Sequence, residues 1–370
     1  MKIDRIRVTP VRVPLSRPFK AATFTIDVRA TLVVRIDTDE GAFGEIFLGD
    51  IRDHQAQVVR IIEEDIAPRL LGLDPRRLAT CFAAMLPLAA GEHHRARVME
   101  AISAVDVALW DLFGRLCDQP VHRLLGGAQD RVRAVVSCGY LGADGGLEAL
   151  ATEAAARRED GYGGVKIKVG FSDAATDAER AAVVRDAIGP DLVMICDANQ
   201  GWDRYEATRF AHIARERGLD IDWLEEPTHW RDYAGGMAHV RRAGGVQVGA
   251  GQSESSSVGC RTLLEAGAVD VLNFDCSLGG GVSEWNRAAI LAEAYEARIA
   301  HHEEPLISMH LLGAKPRGLY AEYFSLERDP LTPEIAPEQP LPVDGFVTVP
   351  DTPGFGIGID PDYVRRYAVV

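Results

Sequence analysis

The chain has 370 residues, 47% of them hydrophobic and 26% charged, the composition of a globular protein with a sizeable core, which excludes disorder. Its 55 acidic against 40 basic residues leave a net charge of −15 with no long Lys/Arg run, so a surface that tracks nucleic-acid phosphates is excluded. Met1 to Arg5 carries no apolar signal region, no stretch reaches the roughly 18 apolar residues of a membrane helix, and six scattered cysteines without a CxxC pair read as free thiols. We expect a cytoplasmic protein with neither a membrane nor a nucleic-acid partner.

Ile3 to Val13 and Ala30 to Asp37 mix apolar and polar residues at strand period, and Thr38-Asp39-Glu40-Gly41 is a hairpin turn, which predicts a small antiparallel sheet. His54 to about Leu88 and Arg95 to Leu116 carry helical spacing, with Ala101, Ala104, Val105, Ala108 and Leu109 as one stripe to pack on that sheet. After Gly126-Gly127 the pattern changes. Eight short apolar runs alternate with helical segments: Val132 to Cys138, Gly164 to Val169, Leu192 to Asp197, Ile221 to Glu225, Val246 to Ala250, Val269 to Asp275, Ile299 to His302 and Leu319 to Phe324. Repeated βα units predict an α/β fold built on a parallel barrel, and the lack of a GxGxxG after any run counts against a dinucleotide fold. The Pro- and Gly-rich tail, Pro330 to Pro361, is expected to pack back on the first domain. The domains are then 1–128 (α+β), 129–326 (barrel) and 327–370 (C-terminal segment).

Working residues of a parallel barrel sit where its strands end, and here those ends are polar. Lys166 and Lys168 are two apart and share a face. Asp197 is followed by Asn199. Next come Glu225-Glu226-Pro227, Gly251-Gln252-Ser253-Glu254, Asp275, His301-His302 and Glu322, mostly in steps of roughly 27 residues, the size of a βα unit. One strand-end Lys or Asp is ordinarily a solvated cap. Two lysines facing a barrel interior need carboxylates or a ligand to offset the cost of burial. His93-His94, Glu226 and Glu303-Glu304 are taken as surface or mouth-lining charge.

Oxygen ligands from successive strands suit a hard cation with open positions, which is the habit of Mg²⁺, and no thiolate site for zinc is assembled. Beside such an ion, lysines and a histidine become proton-transfer groups, with the cation's field and mutual repulsion lowering the lysine pKa. The chemistry implied is removal of a proton next to a carboxylate, with the enolate stabilised by metal and by an acid. Glu322, if protonated, would be that acid.

These residues carry a resemblance to a known family. Ser103-Ala104-Val105-Asp106-Val107-Ala108-Leu109-Trp110-Asp111, Leu124-Leu125-Gly126-Gly127, Val165-Lys166-Ile167-Lys168, Asp197-Ala198-Asn199-Gln200, Trp223-Leu224-Glu225-Glu226-Pro227, Asp275 with Gly279-Gly280-Gly281, and Val349-Pro350-Asp351-Thr352-Pro353-Gly354 together resemble the mandelate racemase-like group of the enolase superfamily. The resemblance implies an α+β capping domain over a modified (β/α)₇β TIM barrel, with one Mg²⁺ per chain at the ends of strands three to five. It also implies Lys168 as one general acid/base, the Asp275–His302 dyad as the other, Lys166 on the substrate carboxylate and Glu322 as the electrophilic acid. The departure is at strand five, where relatives carry Gly-Glu and this chain has Gly251-Gln252. The metal set is therefore Asp197 and Glu225 with Gln252 or Glu254 as the third ligand.

The expected activity is dehydration of a sugar acid to a 2-keto-3-deoxy acid. A racemase or epimerase, or a cycloisomerase, would use the same residues; a non-catalytic binding protein with a degraded metal site is the reading from another class. Recognition of the small carboxylate substrate is expected from Asn199 and from capping loops at Arg17 to Thr25 and Phe47 to Asp53, with Lys20 and Asp50 as contacts. A homo-oligomer is expected.

Overall fold

The computed structural model describes residues 1–91, 94–141 and 146–369; of the histidine pair in the Gly-Glu-His-His loop, His93 lies outside the described residues. The N-terminal sheet is antiparallel, β1 (Ile3–Lys20), β2 (Thr25–Thr38) and β3 (Phe43–Leu48) in sequence order. β1 runs well past the alternation that ends at Val13. Pro14 and Pro18 cannot donate to a ladder, and a register shift between Pro14 and Phe19 carries the strand through them as an irregularity. The helix Arg95–Leu116 lies on this sheet with Ala101, Ala104, Val105, Ala108 and Leu109 buried. Gly44 permits that contact, because a Cβ there would run into the backbone of Ala108 and Leu112. The stretch 54–88 is helical in pieces, interrupted over 71–77.

Eight parallel strands follow: β4 (Arg131–Cys138), β5 (Gly164–Lys168), β6 (Val193–Asp197), β7 (Trp223–Glu225), β8 (Val248–Ala250), β9 (Val271–Asn273), β10 (Arg298–Ala300) and β11 (Tyr320–Phe324). They pair in order from β4 to β10, and β11 returns beside β4. The last seam, β10 to β11, is closed by Leu319 N–H to Ile299 O at 3.0 Å and Ile299 N–H to Arg317 O at 3.3 Å. A strand absent from the sequence reading, β12 (Phe346–Thr348), pairs antiparallel with the start of β4. Inside the barrel, Val135, Ile195, Trp223, Val271 and Ala300 form an apolar plug, with Trp223 stacked on Tyr320 at 5.4 Å. Polar groups at the strand ends therefore sit over a dry floor.

The segment Ser103 to Asp111 joins the two domains. Ser103 Oγ accepts from the backbone N–H of Gly280 and Gly281 at 2.7 and 3.2 Å, and Asp106 accepts from Ser283 N–H and Oγ–H. Trp110 Nε1–H reaches Ser283 Oγ, and Asp111 accepts from Glu45 N–H and Phe355 N–H. Burial pushes the Asp106 carboxyl up to about 7. The tail returns across the capping domain, with Val121 N–H donating to Gly354 O and Val369 N–H to Pro10 O. Removing the Ser103 hydroxyl would strand two buried donors, at about 1–3 kcal/mol each.

Candidate active site

Strand register sets the polar groups side by side. Lys168 pairs with Asp197 and Asp197 with Glu225 across β5, β6 and β7, so alternation aims all three side chains into the same mouth. Lys166 Nζ lies 2.6 Å from Glu322 Oε1, 3.0 Å from Glu225 Oε1 and 3.8 Å from Asp197 Oδ2; Lys168 Nζ lies 2.6 Å from Asp197 Oδ2. None of these five side chains is more than 5% exposed. Burial would lower both lysines. For Lys166 the carboxylates of Glu225, Glu322 and Asp197, and for Lys168 that of Asp197, reverse this and raise the pKa. Without a cation the carboxylates outnumber the lysines and outweigh their mutual repulsion; the expected lowering belongs to the site with an ion on Asp197 and Glu225.

Glu322 differs as well. Against the upward push of burial, Lys166, His302 and Lys168 hold its carboxyl well below the usual range, and it accepts from Ser137 Oγ–H at 2.7 Å and Glu303 N–H at 3.2 Å. In this arrangement it is an ionised partner of Lys166, not an acid.

Asp275 and His302 form a dyad, His302 Nδ1 lying 2.9 Å from Asp275 Oδ2, while Ser277 donates its N–H and Oγ–H to Asp275 Oδ1 at 2.7 Å each. Glu303 Oε1 is 3.7 Å from the other ring nitrogen, Nε2. Burial lowers the imidazole, but Glu303 and Asp275 raise it further, to about 9. The neighbouring His301 accepts from Cys276 N–H through Nε2 at 3.0 Å and so is a structural residue of the β9–β10 corner.

A hard cation fits the donor set. Asp197 and Glu225 are fully buried carboxylates, and Gln252 Oε1 is a buried oxygen with no hydrogen-bond partner among the described residues, as is Asn199 Oδ1. An unpaired buried carbonyl costs free energy that a cation would recover. Glu254 is placed otherwise: its carboxylate lies against Gly259 of the following helix, Ser257–Glu265, where a Cβ would sit. Asn199 orients Asp197 through its N–H and Nδ2–H at 2.9 and 3.1 Å, and Trp223 Nε1–H does the same for Glu225 at 3.1 Å.

Glu226, taken from the sequence as mouth-lining charge, is fully buried and ties three strand ends together. It accepts from Gly251 N–H at 3.1 Å, Tyr233 OH at 2.9 Å and Gln200 Nε2–H at 3.0 Å, and burial pushes it up to about 7. Non-glycine residues at positive φ cluster at these strand ends, Asn199, Gln200, Glu226, Glu303 and Glu304, where backbone strain is tolerated for positioning.

The capping loops close over the mouth. Lys20 and Leu141 exchange backbone hydrogen bonds at 2.9 and 3.3 Å, Thr23 Oγ1–H donates to Asn199 O at 3.0 Å, and Phe19 packs edge-on against Tyr140 at 5.5 Å. The Lys20 side chain itself is exposed. Asp50 is buried in an ion cluster with Arg29 at 3.2 Å and Arg328 at 3.3 Å. That cluster was not legible in sequence, since its members lie in both domains.

The barrel is capped, with two lysines on one side of its mouth and an aspartate–histidine dyad on another. Residues 3–126 match the mandelate racemase / muconate lactonizing enzyme N-terminal domain and residues 149–363 the enolase C-terminal domain-like family. The chain belongs to the enolase superfamily, in its mandelate racemase-like group. It is 32% identical over 385 residues to the D-galactarolactone cycloisomerase of Agrobacterium fabrum, covering 99% of both chains. It is 28% identical to the L-rhamnonate dehydratase of Saccharopolyspora erythraea, covering 98% of this chain and 91% of that one. A mandelate racemase/muconate lactonizing enzyme from a marine actinobacterium, solved in complex with magnesium, superimposes with a TM-score of 0.93 at 36% identity, covering 100% and 99%. Mg²⁺ is the ion of this superfamily.

Proposed function

We propose that this protein is a Mg²⁺-dependent hydro-lyase that converts a sugar acid to a 2-keto-3-deoxy acid. The observation that carries the reading is the placement of Lys168, at the end of β5, and His302, after β10, on well-separated strands around one mouth. Lys166 holds the substrate carboxylate, and Glu322 fixes Lys166. Lys168 is held as an ammonium by Asp197 at 2.6 Å; with Asp197 engaged as a metal ligand that pairing is relieved, and Lys168 as the free amine takes the proton from the carbon next to that carboxylate, the C–H electron pair moving into an enediolate. The bond to the neighbouring hydroxyl then breaks as His302, kept protonated by Asp275 and Glu303, gives that oxygen its proton, and water leaves. The enol so formed tautomerises to the keto acid. Asp197, Glu225 and Gln252 would hold Mg²⁺, which supplies positive charge to the oxygens of the forming enediolate.

Incubation with a panel of sugar acids in D₂O, with Mg²⁺ or EDTA, tests this. Mg²⁺-dependent formation of a keto acid one water lighter, with deuterium taken up at the carbon beside the new carbonyl, supports it. Exchange without a keto acid would leave epimerisation. A keto acid of unchanged mass would indicate cycloisomerisation, the second reading, which the identity to the Agrobacterium enzyme favours. Neither exchange nor keto acid with any acid would refute proton abstraction.

A further inference from the structure

Asp197, Glu225 and Gln252 come from β6, β7 and the end of β8. Across the barrel from them stand β10, β11 and β4. A substrate whose carboxylate lies over the first set, with its reacting carbons between Lys168 and His302, must send the rest of its chain toward the second. That side is walled by a continuous set of contacts running from one proton-transfer group to the other. Lys168 Nζ is 5.3 Å from the Tyr140 ring centre, and the Arg328 guanidinium is 6.0 Å from the same ring and 4.7 Å from that of Phe324. Arg328 Nη2 is 3.8 Å from Glu303 Oε1, and Glu303 Oε1 is 3.7 Å from His302 Nε2.

Arg328 is 1% exposed, and its Nε and Nη1 have no partner among the described residues. Nη2 gives one of its two N–H groups to Asp50 at 3.3 Å and lies 3.8 Å from Glu303 Oε1, and both two-donor edges of a guanidinium include Nη2, so a carboxylate taken side-on would crowd an acidic group already there. Nε and Nη1 can each serve one neutral oxygen without that repulsion. Charge points the same way. Arg328, Arg29 and Arg52 face Asp50, Glu303, Glu304 and Asp329, with Arg29 at 3.2 Å from Asp50, 3.5 Å from Asp329 and 3.8 Å from Glu304, and Arg52 at 3.8 Å from Asp50. Three guanidiniums against four carboxyls leave no surplus positive charge for a second substrate carboxylate. With Glu304 neutral, as burial pushes it up to about 8, the charges only balance.

We propose that Arg328 and Glu303 determine specificity at the far end of the substrate, hydrogen-bonding the hydroxyls of a monocarboxylic polyhydroxy acid and rejecting a dicarboxylic one. Arg328 donates and Glu303 accepts, so a hydroxyl-bearing chain satisfies both, while a second carboxylate meets Glu303 at close range. The inference rests on the proposed abstraction of an α-proton from a sugar acid.

The test compares stereochemically matched six-carbon aldonates and aldarates as probes, following Mg²⁺-dependent keto-acid formation and α-proton exchange in D₂O. The wild-type protein should turn over its best aldonate with kcat/KM at least tenfold above any aldarate. Arg328→Met should lower kcat/KM on that aldonate at least tenfold while Mg²⁺ affinity, read by titration calorimetry, is unchanged. Glu303→Gln should raise the aldarate-to-aldonate ratio at least tenfold; a ratio taken within one variant cancels any shared loss through His302. Aldarates exchanged faster than aldonates by the wild type, or an unchanged ratio in Glu303→Gln, would overturn the specificity assignment and leave the enzyme reading standing. Absence of both exchange and keto-acid formation with every acid of both classes would instead defeat the enzyme reading, and this inference with it. Should Arg328→Met fail to fold, the wild-type ranking and Glu303→Gln still decide.

Discussion

Replacing Lys166 by Met removes an ammonium that serves three buried carboxylates, Glu322 at 2.6 Å, Glu225 at 3.0 Å and Asp197 at 3.8 Å, while keeping the length of the stem. Among the described residues Lys168 pairs with Asp197 alone, so Glu225 and Glu322 lose the cation in direct contact, and only the more distant His302 and Lys168 still act on Glu322. Breaking a buried ion pair by deleting one partner costs about 3–5 kcal/mol, because the other charge stays buried. In EDTA the variant should therefore unfold in urea with a free energy lower than wild type by about that amount. Mg²⁺ should narrow the gap. The variant has lost a positive charge beside the proposed ligands Asp197 and Glu225, and a unit charge at about 4 Å is worth at most about 4 kcal/mol at an effective dielectric of 20. We expect Mg²⁺ to bind Lys166→Met at least tenfold more tightly than wild type, about 1.4 kcal/mol, measured by titration calorimetry, although turnover is lost. Equal stability of the two proteins in EDTA would refute the account of the buried pairs. A stability gap indifferent to Mg²⁺ would place the ion away from Asp197 and Glu225.

Lys168→Ala and His302→Asn should each lower kcat by about 10²- to 10⁴-fold with the fold retained by circular dichroism. His302→Asn should still exchange the α-proton of the substrate without releasing water; near wild-type kcat in either variant would remove that residue from the reaction. Gln252→Glu should tighten Mg²⁺ by placing a charged oxygen where Oε1 is unpaired, whereas Glu254→Gln, with its carboxylate turned to Gly259, should leave Mg²⁺ affinity unchanged; calorimetry showing the reverse pattern would assign the ligand to Glu254. His310 is fully buried beside His122, its Nε2–H donating to Phe355 O at 3.1 Å, and burial pushes its pKa down to about 3. A base with a depressed folded pKa binds fewer protons folded than unfolded, so its contribution is intact above about pH 6.5 and is lost as pH falls toward 3, at up to about 1.4 kcal/mol per pH unit. Urea unfolding between pH 7 and pH 4.5 should show a shallower loss in His310→Gln than in wild type, and identical slopes would refute the buried neutral histidine.

What the sequence determined by itself was the frame. Apolar runs at βα spacing are enough to specify a parallel barrel, because each strand must bury both faces, and barrel geometry then carries strand-end residues to one mouth whatever their distance in the chain. Lys166, Lys168, Asp197, Glu225, Asp275, His302 and Glu322 were legible for that reason. The Ser103 to Asp111 motif was legible as a pattern but silent about its role, since the Gly280, Gly281 and Ser283 groups it holds lie far away in sequence. Only the tertiary structure decided the state of the charges. Glu322 is ionised because Lys166 from another strand lies 2.6 Å away; Glu226 changes from surface charge to a buried tie through Gly251, Tyr233 and Gln200. Gln252 and Glu254, two residues apart, part company through the turn after β8, where Glu254 N–H bonds to Gly251 O. Arg29 and Asp50 meet Arg328 and Asp329 only because the capping sheet docks on the barrel. Periodicity fixes which face a side chain takes, but protonation and pairing fall off with distance in space, and those distances exist only once the two domains have closed on each other.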